Sequence, residues 1–281
     1  MNWPVFPHEA MATRFEIAIA GHDEAYARKA AAAAFRELDR LENELSRYRE
    51  SSDIACANRL TGGKSLVIGD DALECLLIAA DVALATDRAF DPAYASKFAG
   101  DSPAGAPAFT LDPGTHTLTS HAVQLHLDLG AVGKGYALDR MADTLGEWGV
   151  TAACLNSGGS TVLALAPPAG EGGWPVGLGD GAAHRTLPLV RAALSASGTA
   201  VKGEHLIDPR SGAPAPRLNR VWSFAPAAGL ADALSTAFFV FADAQVAAFC
   251  VAHPEVGAAL PGAGGELALH GALCGWREIM K

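Results

Sequence analysis

The chain has 281 residues, half of them apolar and 19% charged, with 31 acidic against 21 basic side chains and a formal net charge of −10. That composition suits a well-buried globule and excludes wholesale disorder. It also argues against non-specific nucleic-acid binding or an acidic membrane surface, and means that an anionic ligand would need a local cation.

The N-terminal stretch MNWPVFPHEAMATRFEIAIAG lacks a basic leader followed by an uninterrupted apolar core. No other run is long enough to span a bilayer, so the chain reads as cytoplasmic, with no membrane segment. A strand is predicted near 15–20, and Asp23 is the N-cap of a long helix in which Tyr26, Ala30, Ala34, Phe35, Leu38, Leu41 and Leu45 recur at helical spacing. A second helix runs from Asp70 to about Thr86, burying Leu73, Leu76, Leu77, Ala80 and Leu84. Residues 99–116, rich in Gly, Pro and Ala, read as a loop with at most a short strand. Residues 121–129 (HAVQLHLDL) alternate apolar and polar as a strand does.

The chain then turns through Gly130, Gly133 and Gly135 into a third helix that buries Leu138, Met141, Leu145 and Trp148 and stops at Gly149. A strand at 152–155 leads into Ser157-Gly158-Gly159, and a second glycine-rich stretch covers 169–183. Strands follow near 186–190 and 193–197. The last third holds a helix around Asp232, another after Asp243, and short strands around Ala258 and Leu267. Without a regular βαβ rhythm or an obvious linker, the chain reads as one α+β domain over 1–281, any second lobe being interwoven with the first.

The five cysteines are scattered and form no C-x-x-C, which reads as buried small hydrophobes. The histidines form no H-x-x-x-H pair, so no zinc site is expected. Four segments carry chemistry, one of them Arg88-Ala-Phe-Asp-Pro92, an aromatic beside a carboxylate whose plainer role is a turn. Asp232 and Thr236 lie four apart in an apolar run, so on a helix both oxygens share a face and can hold a hard divalent cation. The competing reading makes Asp232 a helix cap near Ala231, with Thr236 bonded back to a carbonyl. Around Lys134, glycines open a helix whose first amides attract phosphate, although the G-x-x-x-x-G-K-[ST] spacing of a P-loop is absent. His205, after Ser195-Ala-Ser-Gly198 and ahead of Asp208-Pro209 and Gly212, is a candidate general base beside a turn, with turn capping as the plainer role of Asp208 and Arg210.

In order along the chain, several segments resemble the ApbE family of FAD:protein FMN transferases. They are Met11-Ala-Thr-Arg-Phe15, Leu45-Ser-Arg-Tyr-Arg49 with Ser52, Asp53 and Asn58, Ala89-Phe-Asp-Pro92, and Asp128-Leu-Gly-Ala131 through Lys134-Gly135. Gly158-Gly159, Ser197-Gly198, the stretch from His205 to Gly212 and that from Ala231 to Thr236 complete the set. The sequence departs from the family pattern at Ala12, Arg88, Gly133 and Ser160, where Gly, Gly, Ala and Asp are usual.

The resemblance implies an α+β, T-fold-like architecture of mixed and antiparallel sheets with packed helices. It also implies Mg²⁺-dependent cleavage of FAD, with FMN attached through its phosphate to a Thr or Ser of a target redox protein and AMP released. By position, the metal ligands would be the Ala131 carbonyl, Asp232 and Thr236. Flavin contacts would come from Met11, Tyr48, Ala89, Phe90, Asp91, Asp128, Lys134 and Ile207, with Tyr48 and Phe90 packing on rings. Lys134 would offset phosphate charge, and His205 would take the acceptor's proton. FAD hydrolysis to FMN and AMP, non-catalytic FAD binding and a P-loop nucleotide hydrolase are the competing functions.

Overall fold

The computed structural model describes residues 3–98, 106–181, 184–198, 207–215, 220–262 and 266–276. Its centre is an antiparallel sheet of eight strands. In sheet order these are β1 (Val5–Ala10), β2 (Thr13–Ile19), β6 (Ala153–Ser157), β7 (Thr161–Ala164), β10 (Ala192–Ser197), β11 (Val221–Ala225), β12 (Gly257–Pro261) and β13 (Leu267–Gly271). Alternation along the strands assigns the two faces: Ala193 joins one core, Ala192 and Leu194 the other.

Helices α1 (Glu24–Leu45), α3 (Asp70–Ala85), α4 (Gly133–Glu147) and α5 (Ala228–Val240) form one layer on the first face, sharing a core with Phe15, Ile17, Leu155 and Val221. The hairpin of β8 (Trp174–Leu178) and β9 (Arg185–Leu189) covers the second face, packing Trp174, Leu178, Leu187 and Leu189 against Leu194 and Trp222. A short helix α2 (Asp53–Ala57) follows α1. A small sheet of β3 (Ser65–Val67), β5 (Thr117–Ser120) and β4 (Phe109–Asp112) lies off the main one, and α6 (Asp243–Ala252) precedes β12.

The long helix starts where its cap predicts: Asp23 Oδ1 accepts the Tyr26 amide at 3.0 Å. At its far end Ser46 turns extended, and Ser52 caps α2 through the Ala55 amide. The helix at 70–85 forms as expected, but Leu84, placed in the core by spacing, is 84% exposed. Leu73 and Leu76 are buried as expected, and Ala72, Cys75, Ala79 and Val82 complete the stripe.

The stretch 121–129 is not a strand. Its alternating burial is real, with Leu125, Leu127 and Leu129 inside, but its polar backbone bonds elsewhere. Asn58 brackets Leu127, donating to its carbonyl at 3.0 Å and accepting its amide at 2.6 Å. Ser96 Oγ takes the His126 amide and the Pro92 carbonyl takes that of Asp128. Only Gln124 makes a bridge, to Lys97. The 130–135 turn is shorter than expected, because α4 begins at Gly133 and Lys134 and Gly135 lie in its first turn. The glycine-rich 169–183 stretch contains β8. The sequence reading also misses β1, β3, β5, β7, β11 and α2.

Candidate active site

One register row of the large sheet carries small hydroxyls. Ser157 pairs with Thr161, Thr161 with Ser195, and Ser195 with Ser223. Paired residues share a face, so four short side chains line up beneath α5. They let the helix approach the sheet, and three of them donate hydrogen bonds to it. Ser223 Oγ donates to the Ala231 carbonyl at 2.5 Å, while Thr161 Oγ1 and Ser195 Oγ each donate to Asp232 Oδ1 at 3.3 Å. Two residues along β10, Ser197 Oγ meets Ser235 Oγ at 2.8 Å and Thr236 Oγ1 at 3.3 Å. Asp232 and Thr236 thus do sit one turn apart over the same strands. The capping alternative for Asp232 fails, since α5 starts at Ala228 and Asp232 lies inside it.

Asp232 is 5% exposed, and its second oxygen accepts the Gly135 amide at 3.2 Å. Gly135 is the third residue of α4, so that amide has no partner in its own helix. The arrangement is reciprocal. Asp139, one turn further along α4, accepts the amides of Ala228 and Gly229, the first two of α5, both at 2.8 Å. Neither helix has a side-chain cap of its own, so each closes the start of the other. Gly135 makes this possible: a Cβ there would lie 2.2 Å from the Ala228 oxygen and 2.8 Å from Asp232 Cβ. Burial holds the Asp139 carboxyl above its ordinary range, against the two amides that favour its charge. Burial, with the Asp232 charge nearby, also pushes the Cys75 thiol far up, leaving it an unreactive core group.

The residues around Asp232 fit a hard cation. Its hydrogen-bond partners are neutral donors, and among the described residues no Lys, Arg or His pairs with it. Ser157 Oγ, in the same row and fully buried, has no hydrogen-bond partner. A buried carboxylate ordinarily comes with a counter-charge. Asp232, the Thr236 hydroxyl and the main-chain oxygen of Ala131, just before α4, are oxygen donors of the kind Mg²⁺ prefers. Among the described residues no three His, Cys, Asp or Glu side chains cluster to make a carboxylate or imidazole cage.

Beside the start of α4 opens a cavity of about 510 Å³. Its walls are the β1–β2 tip (Met11, Ala12), the end of α1 and the residues after it (Glu42, Leu45, Arg47, Tyr48, Arg49), the 128–130 segment, and Gly133 and Lys134. Met11, Tyr48, Asp128 and Lys134 are therefore brought together as expected. Lys134 Nζ donates to the Gly130 carbonyl at 2.7 Å. Tyr48 is 80% exposed, with the Arg47 guanidinium 4.7 Å from its ring centre; Arg47 also reaches Asp128 at 3.5 Å.

Other expected contacts lie elsewhere. Ala89 and Phe90 are core residues, so the Phe90 ring has no free face to offer a ligand. Asp91 lines a separate cavity of about 380 Å³ with Arg88, Tyr94, Phe98 and Arg210, and burial raises its carboxyl pKa. Ile207 is partly exposed and bridges Pro214. Asp208 and Arg210 close that turn on each other, the plainer role expected of them. His205 lies outside the described residues. The sequence reading missed Thr161, Asp139 and Glu42 as parts of the site, and took Ser195 only as the start of the Ser195–Gly198 segment ahead of His205.

Residues 11–260 match the model of the ApbE family. A curated FAD:protein FMN transferase of Klebsiella pneumoniae (strain 342) is 28% identical over 225 residues, 69% of this chain and 68% of that protein. Among solved structures, the flavinyl transferase ApbE of Pseudomonas stutzeri aligns with a TM-score of 0.81 at 22% identity, covering 97% of this chain and 95% of that one. The flavin transferase ApbE of Vibrio cholerae aligns at 0.78 and 18%, covering 96% of each.

Proposed function

The chain belongs to the ApbE family, and on that premise we propose that it is a Mg²⁺-dependent FAD:protein FMN transferase. It cleaves the pyrophosphate of FAD, joins FMN through its phosphate to a Thr or Ser hydroxyl of a target redox protein, and releases AMP. The observation that carries this reading is the pairing of a 510 Å³ cavity, walled in part by the first turn of α4 and Lys134, with a buried carboxylate on α5 that meets that same turn and has no cationic partner among the described residues.

In this reading FAD lies with a ring system against Met11, Leu45 and Tyr48 and its phosphates toward Lys134. Three cationic side chains and two carboxylates line the cavity of an otherwise acidic chain. Phosphoryl transfer asks the protein for positioning and charge neutralisation more than for a covalent group. Lys134 turns from the Gly130 carbonyl to a phosphate oxygen. When bound by Asp232, Thr236 and the Ala131 carbonyl, Mg²⁺ supplies charge to the phosphates and their leaving group. The acceptor oxygen bonds to the FMN phosphorus as the bond to AMP breaks and AMP departs with the electron pair. His205 takes the hydroxyl proton.

The test incubates the protein with FAD, Mg²⁺ and a candidate acceptor. AMP is expected to appear in step with covalent FMN on the acceptor. AMP and FMN without acceptor would make the protein a hydrolase, and unchanged bound FAD would make it a flavin carrier. Asp232→Asn, which keeps the side-chain shape, is expected to lower transfer by roughly 100-fold or more with little loss of stability. His205→Ala is expected to bind FAD normally and transfer slowly; full transfer by that variant would remove His205 from the chemistry.

A further inference from the structure

Met11 and Ala12 form the two-residue tip of the β1–β2 hairpin, closed by the Ala10–Thr13 pair, and both are left-handed, at φ +50° and +55°. Tips of this kind favour Asn-Gly, because side chains clash with the backbone there. Neither Met nor Ala has a short polar side chain to ease the conformation, so something outside the hairpin must hold it.

Glu42 is that outside contact. From α1, 31 residues away, its Oε1 accepts the Met11 amide at 3.0 Å. Its other oxygen receives Arg49 Nη2 at 2.9 Å. One carboxylate thus ties together two walls of the 510 Å³ cavity, the hairpin tip and the segment that carries Tyr48. A carboxylate is a poor neighbour for the phosphates of a dinucleotide, which points to a holding role rather than direct phosphate contact. We infer that Glu42 is a positioning residue: it clasps the strained Met11–Ala12 tip in place as a wall of the FAD pocket, and so sets FAD affinity without entering the transfer step. The inference rests on the flavin-transferase reading above.

The test compares the parent with Glu42→Ala and Glu42→Gln, whose amide oxygen still accepts the Met11 N–H. Two readouts are taken: hydrogen exchange at the hairpin tip, and FAD KM and kcat with saturating acceptor. Glu42→Ala is expected to speed exchange at the tip by about tenfold and to raise KM about tenfold with kcat within about twofold. Glu42→Gln is expected to stay near the parent in both, despite losing the charge pair with Arg49. Adding Ala12→Gly to Glu42→Ala relieves the backbone demand and is expected to bring KM back toward the parent; it also serves if the single variant folds poorly. An unchanged KM in Glu42→Ala, a fall confined to kcat, a Gln variant as damaged as the Ala variant, or no recovery with glycine would each overturn the clasp. If the parent itself neither binds nor turns over FAD, the flavin reading fails instead, and the exchange data still decide whether Glu42 holds the tip.

Discussion

Gly135 is the residue on which the candidate site closes. The main chain of α5 comes so near that any side chain at 135 would sit inside the Ala228 carbonyl and against Asp232 Cβ. The carbonyl is main chain and Cβ is fixed to the main chain, so neither can swing aside and Gly135→Ala must push the two helices apart. Overpacking of this kind costs roughly 1–3 kcal/mol. The loss here would include the Gly135–Asp232 hydrogen bond and the orientation of the carboxylate. Expected results are a lower unfolding midpoint in denaturant and a Mg²⁺ requirement shifted to higher concentration; a variant equal to the parent in both would show that the helices tolerate separation. The Asp232–Thr236 pair was legible because helical spacing puts positions four apart on one face. The link of Thr161, Ser195 and Asp139 to that pair was not. They lie 71, 37 and 93 residues before Asp232 in the chain, and only strand register and helix crossing bring them together. Glu42 was hidden for the same reason, as one acid among several on an exposed helix face.

Among elements, α4 and α5 depend on each other's carboxylates. Asp139 carries the start of α5, and burial raises its pKa. The sign follows: a carboxyl whose folded pKa exceeds the ordinary value of about 3.9 binds its proton more tightly when folded. Its contribution to stability is therefore fullest below about pH 4 and declines as pH rises through the folded value. Asp139→Asn removes that slope. Stability measured against pH should show the variant gaining on the parent as pH rises from about 4 through the folded pKa, then a constant difference. A constant difference throughout would mean that burial does not raise the Asp139 pKa. The elements themselves show why pattern reading reached some and not others. Helices α1 and α3 have caps or acidic first turns and long apolar runs, and their limits were legible. The 121–129 segment has a strand's burial pattern without a strand's partner, since Asn58, Ser96 and Pro92 take its polar groups. Periodicity reports which side chains go inward; it does not report what the backbone bonds to. Strands β7 and β11 are short and partly polar on their inner face because they carry Thr161 and Ser223 for α5, which broke the apolar signal.

At the scale of the whole molecule, the proposed FAD pocket is assembled from parts far apart in sequence. The β1–β2 tip, the end of α1, the 128–130 segment and the start of α4 wall it, and α5 holds α4 from behind through Asp232 and Asp139. All of these share one core on the helical face of the eight-stranded sheet. The α+β class could be read from the mixing of elements, but the strand order 1-2-6-7-10-11-12-13 depends on pairings no local pattern encodes. A ligand bound where these parts meet stabilises the fold as a whole, because separating any one wall releases it. At a hundred times its dissociation constant FAD should add about 2.7 kcal/mol, or about 5 °C in midpoint for a chain of this size. Since Asp232 is the carboxylate proposed to couple the metal to the phosphates, the full shift should require FAD and Mg²⁺ together. It should shrink on adding a chelator and be small in Asp232→Asn whatever the metal concentration. A full shift with FAD and chelator, or two melting transitions of which only one moves, would mean that the dinucleotide binds away from the α4–α5 contact.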